Sequence, residues 1–136
     1  MYDVKSRATL AEFIVAQALR VESLIGIEWD LYDLVYNGYR IAVKSPEDET
    51  SPVFDIRPSE RLGTRASDIH IFTMFNAEGD ADPHNVTLWR FWVLSTNNVN
   101  RTFDTQEAVS MGLIQPIAIQ TDYAGLRSAV DMVVAA

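Results

Sequence analysis

The alternation of apolar and polar positions predicts a helix near each end of the chain, with strands between them. From Ser6 to about Ile25, apolar residues recur at helical spacing without glycine or proline, which predicts an amphipathic helix. Its apolar positions are Leu10, Phe13, Ile14, Ala18, Val21 and Leu24. A second helical pattern covers Tyr123 to Val134, with an apolar face of Leu126, Val130 and Val133.

The strongest local signal between these helices is a β-hairpin that turns at Asn37-Gly38. A two-residue type I′ turn needs positive φ at both central positions, which Asn and Gly tolerate best. Such a turn places Asp33 directly opposite Ala42. Diagonal neighbours across a hairpin are within reach of a long side chain, so Asp33 and Lys44 are predicted to meet on one face of the sheet.

The segments that follow the hairpin predict further strands. There are four such segments. The first three are rich in β-branched and aromatic residues or alternate in polarity, and the fourth contains a proline and suits a sheet edge. They are Val53 to Arg57, Ile69 to Phe75, Leu88 to Leu94 and Ile114 to Ile119. The third of them is apolar on both faces apart from Arg90, which predicts burial on both sides. Asp104 and Glu107 match a capping box and predict a helix that ends near Gly112.

Helix, run of strands and helix in this order predict one α+β domain over residues 1–136, with a mixed or antiparallel sheet. The composition is 48% hydrophobic, which suits a globular core. No apolar run approaches the roughly 18 residues of a membrane span, and the N-terminus lacks an apolar signal-peptide region. We therefore expect a cytoplasmic protein without a membrane partner. The absence of cysteine excludes disulfides and thiolate metal sites.

The net charge of −8 argues against broad nucleic-acid binding, which depends on basic residues that neutralise phosphates. The one locally basic stretch carries Arg57, Arg61 and Arg65, and neighbouring Pro58 and Gly63 favour a solvated loop there. A local positive strip or carboxylates that hold metal ions remain compatible with this charge.

Few residues offer catalytic chemistry. His70 and His84 are the only histidines, no serine lies in a nucleophile-elbow pattern, and no glycine loop suits a phosphate. What remains is the hairpin with Asp33 and Lys44, preceded by a helix that carries Glu12. These residues also have an ordinary interpretation, in which Glu12 is a helix-surface acid and Asp33 pairs with Lys44 as an ion pair without a substrate.

At these residues the chain resembles the PD-(D/E)XK, or restriction-endonuclease-like, nuclease superfamily. The resemblance rests on Glu12 in LAEFIVAQAL, Asp33 in WDLYDLVYNG and Ala42-Val43-Lys44 in IAVKS. The chain is also similar to a group of uncharacterised bacterial proteins with an LAEFIVA helix, an EWD-YDL segment and a strand that ends in VKS. The later strand segments RASDIHIF and WRFWVLST extend that similarity over most of the chain.

The resemblance implies a restriction-endonuclease-like core, in which an N-terminal and a C-terminal helix flank a central mixed sheet. It implies a Mg²⁺ ion held by Asp33, the Val43 carbonyl and Glu12, with Lys44 orienting or deprotonating the attacking water. A bound cation lowers the pKa of water and stabilises charge on phosphate oxygens, which is the chemistry of an endonuclease that hydrolyses DNA. Enzymes of this type often act as homodimers, so the resemblance also implies pairing.

The chain departs from the superfamily pattern at Ala42, where the pattern places an acid. An alanine side chain cannot ligate a metal, and three explanations compete. In the first explanation, Asp55 on the next predicted strand supplies the missing carboxylate and joins the metal ligands. Alternatively, catalysis has been lost and the domain persists as a nucleic-acid-binding or protein-binding module. Finally, the alanine is an engineered inactivation, since Glu12, Asp33 and Lys44 all remain.

Overall fold

A computed structural model describes residues 4–22, 32–46, 48, 50–60, 62–75 and 82–135. The helices are α1 (Val4–Leu19), α2 (Thr96–Phe103), α3 (Met111–Ile114) and α4 (Leu126–Ala135). The strands are β1 (Leu34–Tyr36), β2 (Tyr39–Lys44), β3 (Val53–Asp55), β4 (Ile69–Phe75), β5 (Trp89–Ser95), β6 (Ala108–Ser110) and β7 (Ile119–Asp122). A short 3₁₀ turn, Val86–Leu88, leads into β5.

Five of the strands form one mixed sheet in the order β1-β2-β4-β5-β7, and β3 pairs with β6 in a separate sheet. β2 runs parallel to β4, whereas the other pairs are antiparallel. This confirms the predicted α+β class, with a mixed central sheet and a helix near each end. None of the helices in the described ranges has the length and hydropathy needed to cross a bilayer.

Two apolar layers cover the two faces of the five-stranded sheet. α1 and α4 pack on one face, against side chains that include Ile41, Val43 and the fully buried Trp89 and Phe91. The second layer joins Phe72, Trp92 and Leu94 of the sheet to residues of β3, β6, α2 and α3. Burial of β5 on both sides is thus confirmed. Each fully buried large apolar side chain contributes about 1.5–3 kcal/mol, so these layers fix the sheet between them.

The hairpin turns where the sequence predicted. Asn37 has φ 50° and Gly38 has φ 83°, the two positive values that a type I′ turn requires. Tyr36 faces Tyr39 as expected, but the register ends where Leu34 faces Ile41. There the N–H of Asp33 also donates to the Ile41 carbonyl, at 2.8 Å. The predicted direct pair of Asp33 with Ala42 therefore does not form.

The first helix ends earlier than its apolar pattern suggested. α1 stops at Leu19, and Arg20 has φ 59°. Its N–H bonds to the Gln17 carbonyl at 3.2 Å, and the Val21 N–H bonds to the Ala16 carbonyl at 3.0 Å, which is a Schellman motif. The last predicted helical residues, 23–25, lie outside the described residues.

The helix predicted from Asp104 to Gly112 is wrong. α2 lies before that segment and ends at Phe103, with the Ser95 hydroxyl accepting from the Asn98 N–H at its start. Ala108–Ser110 is instead strand β6, because Val109 of β6 faces the fully buried Phe54 of β3. The predicted edge strand is also displaced: Ile114 ends α3, and β7 begins at Ile119.

The basic stretch divides into two arginines with different roles. Arg65 donates to the carbonyls of Ile56, Asp104 and Gln106 at 2.6 to 2.8 Å and to the Asn100 side chain at 2.7 Å, so it joins the segment after β3 to the end of α2. Arg57 forms an exposed ion pair with Asp55 at 3.1 Å. Residue 61 lies outside the described part. The predicted solvated loop thus contains one structural arginine.

Candidate functional site

The structure brings together two of the predicted site residues, Glu12 and Asp33. Glu12 lies in the middle of α1, next to the fully buried Ala11, and is itself half-buried. Burial, followed by the charge of Asp33 and a hydrogen bond between the two carboxyl groups, raises the pKa of Glu12 to about 8. Glu12 therefore retains its proton at neutral pH, and it is not a plain helix-surface acid.

Asp33 is anchored to the main chain of β2. Its Oδ2 accepts the N–H of Val43 at 2.7 Å, where a longer β1 would offer a backbone carbonyl. Its own N–H is held by Ile41. The carboxylate therefore pairs with β2 where a strand would otherwise continue, and two backbone contacts to β2 set the position of Asp33.

The carbonyl of Val43 points to the same edge. The Lys44 carbonyl accepts from the Thr73 hydroxyl at 2.9 Å and so faces β4. Successive carbonyls of a strand point to opposite sides, so the Val43 carbonyl faces the β1 side, as its N–H does. Glu12, Asp33 and Val43 thus direct oxygen atoms to one edge of the sheet.

This donor set suits a hard divalent cation. Mg²⁺ binds through one or two carboxylates and retains several waters, so two carboxyl groups and a carbonyl are chemically sufficient to hold it. A cation would take the place of the proton that Glu12 retains, because a carboxyl group binds a metal ion in its deprotonated form. Within the part of the chain that the structure describes, no cluster of three or more Asp, Glu, His or Cys side chains could hold an ion. Among the described residues, two acidic side chains belong to this site.

Asp55 does not join this pair. It lies on β3, in the second sheet, and forms the exposed ion pair with Arg57. Partial burial acts to raise the pKa of Asp55, but hydrogen bonds from Arg57 and the charges of Arg57 and Lys44 outweigh it and lower that pKa. In this conformation the proposed replacement acid interacts with Lys44 and not with Glu12 and Asp33.

Lys44 and Ala42 belong to the face of β2 opposite to α1, since they alternate with Ile41 and Val43. The charge of Lys44 acts on Asp55 and on His70. No carboxylate among the described residues lies within ion-pair distance of its ammonium group, so the Asp33–Lys44 ion pair does not form.

Ala42 is buried beside His70, its register partner on β4. The His70 Nδ1 lies 2.9 Å from the Thr96 hydroxyl. Burial, followed by the charges of Lys44 and Arg65, lowers the pKa of His70 to about 3, so the ring is neutral. Ser67 completes this buried polar cluster at 3.2 Å from Thr96, and sequence reasoning missed it because its members come from separate segments.

No protein-family model matches the chain, and no curated protein sequence matches it. The functional interpretation of the site therefore depends on the residues of this chain alone.

Proposed function

We propose that this chain is a cytoplasmic, Mg²⁺-dependent nuclease with a restriction-endonuclease-like core, and that it hydrolyses phosphodiester bonds of DNA. The observation that carries the proposal is the pair of carboxyl groups on Glu12 and Asp33 at the edge where Val43 directs its carbonyl. A soluble helix rarely places a carboxyl group against a second one without a function, because burial and repulsion both oppose it.

Each residue of the site has a role in this proposal. Glu12, Asp33 and the Val43 carbonyl would hold the cation, which supplies a water of lowered pKa and stabilises charge on the phosphate. Lys44 follows Val43 directly, and its ammonium group is not engaged by a described carboxylate. In the proposal it orients the phosphate or the attacking water from the face of β2 opposite to α1. Cutting both strands of a duplex takes two such sites, so the proposal includes a homodimer.

The side chain at position 42 limits this activity. Among the described residues, Ala42 leaves the site with two acidic side chains, where three would bind the cation more strongly. It supports a second candidate function, a catalytically inactive domain of the same fold that binds a nucleic-acid or protein partner. The two candidates differ in metal binding at Asp33 and in what an acid at position 42 restores.

Metal binding is tested by calorimetric titration of the protein with MgCl₂ and MnCl₂. We expect binding to the unsubstituted chain and its loss in Asp33→Ala. Glu22→Gln is the matched control, because it removes an exposed carboxylate just beyond α1. Equal binding by the Asp33→Ala variant would place the cation elsewhere.

Cleavage is tested on supercoiled plasmid DNA with Mg²⁺. We expect Ala42→Glu to cut and to stop cutting when Lys44→Ala is added. Ala42→Gln has the same size without the charge, so it controls for the effect of a larger side chain at this buried position. Absence of metal binding together with no cleavage by Ala42→Glu would exclude the nuclease and leave the binding module. Sedimentation of the unsubstituted chain reports whether it pairs.

A further inference from the structure

A second site candidate lies at the other end of the sheet, where a cavity of about 550 Å³ opens. It is bounded by Tyr39 and Ile69, the first residues of β2 and β4, and by Ser95, the last residue of β5. Val43 is four residues further along β2 than Tyr39, so the cavity lies on the order of 13 Å from the Glu12–Asp33 edge. Its volume falls in the range of small-molecule sites.

One positive charge in this cavity is not neutralised by the described residues. Arg101 of α2 lines it, together with Asn97 and Asn98, which are one helical turn away on the same face. No carboxylate of a described residue lies within ion-pair distance of Arg101. The acid in the lining, Asp68, is already engaged, because it accepts from the N–H, Nε and Nη2 of Arg40 at 2.8, 3.2 and 3.1 Å.

Two buried hydroxyl groups contribute to the wall of the cavity. Ser67 and Thr96 both line it, although their side chains are 6% and 4% exposed. Both belong to the polar cluster with His70, whose neutral ring can donate through Nδ1 to Thr96. In that tautomer the Thr96 hydroxyl donates to Ser67, and the Ser67 hydroxyl donates into the cavity. An acceptor group of a ligand would receive this hydrogen bond.

Another part of the wall is apolar and accessible. Ile117 and Met132 line the cavity and are 41% and 61% exposed, a high fraction for such large apolar side chains. Ile119 and Val133 lie beside them and are partly buried. A ligand that covers this wall would remove apolar surface from water, which favours binding.

We propose that this cavity binds a small carboxylate with a short apolar chain. The carboxylate pairs with the Arg101 guanidinium, which presents two parallel N–H donors to such a group, and accepts further hydrogen bonds from Asn97, Asn98 and the Ser67 hydroxyl. The apolar chain lies on Ile117 and Met132. The site is independent of the Glu12–Asp33 pair and of any nuclease activity.

The test is a titration of the ¹⁵N-labelled protein followed by amide chemical shifts, with sodium hexanoate as the probe. We expect saturable shifts at Asn97, Asn98, Arg101 and Ile117. Arg101→Gln should weaken hexanoate binding at least about tenfold, since the lost contact is a charge-assisted hydrogen bond. Arg20→Gln is the matched control, because it removes the same charge from the exposed end of α1, and its affinity should equal that of the unsubstituted chain.

Two further probes separate the features of the ligand. Hexylamine has the same chain with the opposite charge, and inorganic phosphate has negative charge without a chain; both should bind much more weakly than hexanoate. Hexanoate binding that is unchanged in Arg101→Gln, or equal binding of hexylamine or phosphate, would overturn the proposal, as would an absence of saturable shifts. A well-dispersed amide spectrum shows that the Arg101→Gln variant is folded.

Discussion

The carboxyl group of Glu12 in α1 lies close enough to that of Asp33, just before β1, for the charge and hydrogen bonding of Asp33 to raise the Glu12 pKa. This contact joins the first helix to the first strand at the point where β1 begins. Its energetic consequence is a dependence of stability on pH, because one of the two acids retains a proton that an isolated carboxyl would release.

Glu12→Gln tests that consequence. The Glu12 carboxyl has an ordinary pKa of 4.5 and a folded-state pKa of about 8. Between these values the unfolded chain has released a proton that the folded chain retains, so the free energy of unfolding falls as the pH rises. At pH 8 we expect the free energy of unfolding of Glu12→Gln to exceed that of the unsubstituted chain by on the order of 1 kcal/mol. This value is discounted for solvent screening at a half-exposed site. Urea unfolding at several pH values measures it.

The control for this prediction is Glu22→Gln, at an exposed position just beyond α1. Its stability profile should run parallel to that of the unsubstituted chain. If the profile of Glu12→Gln also runs parallel, the Glu12 carboxyl does not retain a proton in the folded chain that it loses in the unfolded chain.

His70 makes the free energy of unfolding change with pH in the opposite direction to Glu12. Its ordinary pKa is 6.5 and its folded-state pKa is about 3, so between these values the unfolded chain binds a proton that the folded chain excludes. The free energy of unfolding therefore falls as the pH falls through that window, by up to about 1.4 kcal/mol per pH unit. From about pH 4.5 to 6.5 this slope offsets that of Glu12, and we expect a plateau of stability there.

Two variants separate the slopes in that pH window. In His70→Gln the free energy of unfolding should fall as the pH rises, and in Glu12→Gln it should rise with pH. The comparison uses slopes, so an overall loss of stability in His70→Gln does not obscure it. His84→Gln is the control, because His84 is exposed beside Asp82. A His70→Gln slope equal to that of the unsubstituted chain would mean that the ring is protonated in the folded state.

Asp33 is expected to stabilise the edge of β2 in addition to its proposed role with a cation. Its carboxylate is the acceptor for the Val43 N–H, so Asp33→Ala should cost about 1–3 kcal/mol by leaving that donor unpaired. Asp33→Asn retains an acceptor oxygen and should cost less. Amide hydrogen exchange at Val43 is the specific readout, and it should accelerate in the alanine variant alone. Exchange that is equally slow in both variants would show that another group holds this N–H.

Arg65 and Arg57 are predicted to differ sharply in their contributions to stability. Arg65→Ala removes the donor to three backbone carbonyls and a side-chain amide, and we expect a loss of about 2–3 kcal/mol in the free energy of unfolding. Arg57→Ala breaks an exposed ion pair with Asp55 and should cost at most about 0.5 kcal/mol. Equal losses in urea unfolding would contradict the structural role of Arg65.

Local signals in the sequence determined the hairpin and the strongest strands. Asn37 and Gly38 specify their turn because few other residues adopt positive φ at low cost, and that requirement acts within the turn itself. β4 was predictable from its β-branched and aromatic residues, and β5 from apolar residues on both of its faces, which indicate burial on both sides. α2 was missed although Ser95 could cap it and Val99 and Phe103 have helical spacing, a pattern that its polar residues concealed.

Tertiary structure decided the assignments that depend on distant partners. Ala108–Ser110 is a strand because β3 supplies both the backbone pairing and the buried Phe54 that faces Val109, and neither is encoded near β6. Asp55 and Lys44 were natural candidates for one metal site in the linear sequence, yet the fold puts Asp55 in the second sheet, away from Glu12 and Asp33. The contact between those two acids likewise exists only because α1 packs over the edge of the hairpin. Sequence encodes backbone preference and periodicity, whereas the desolvation that raises the pKa of Glu12 arises only when distant segments exclude water together.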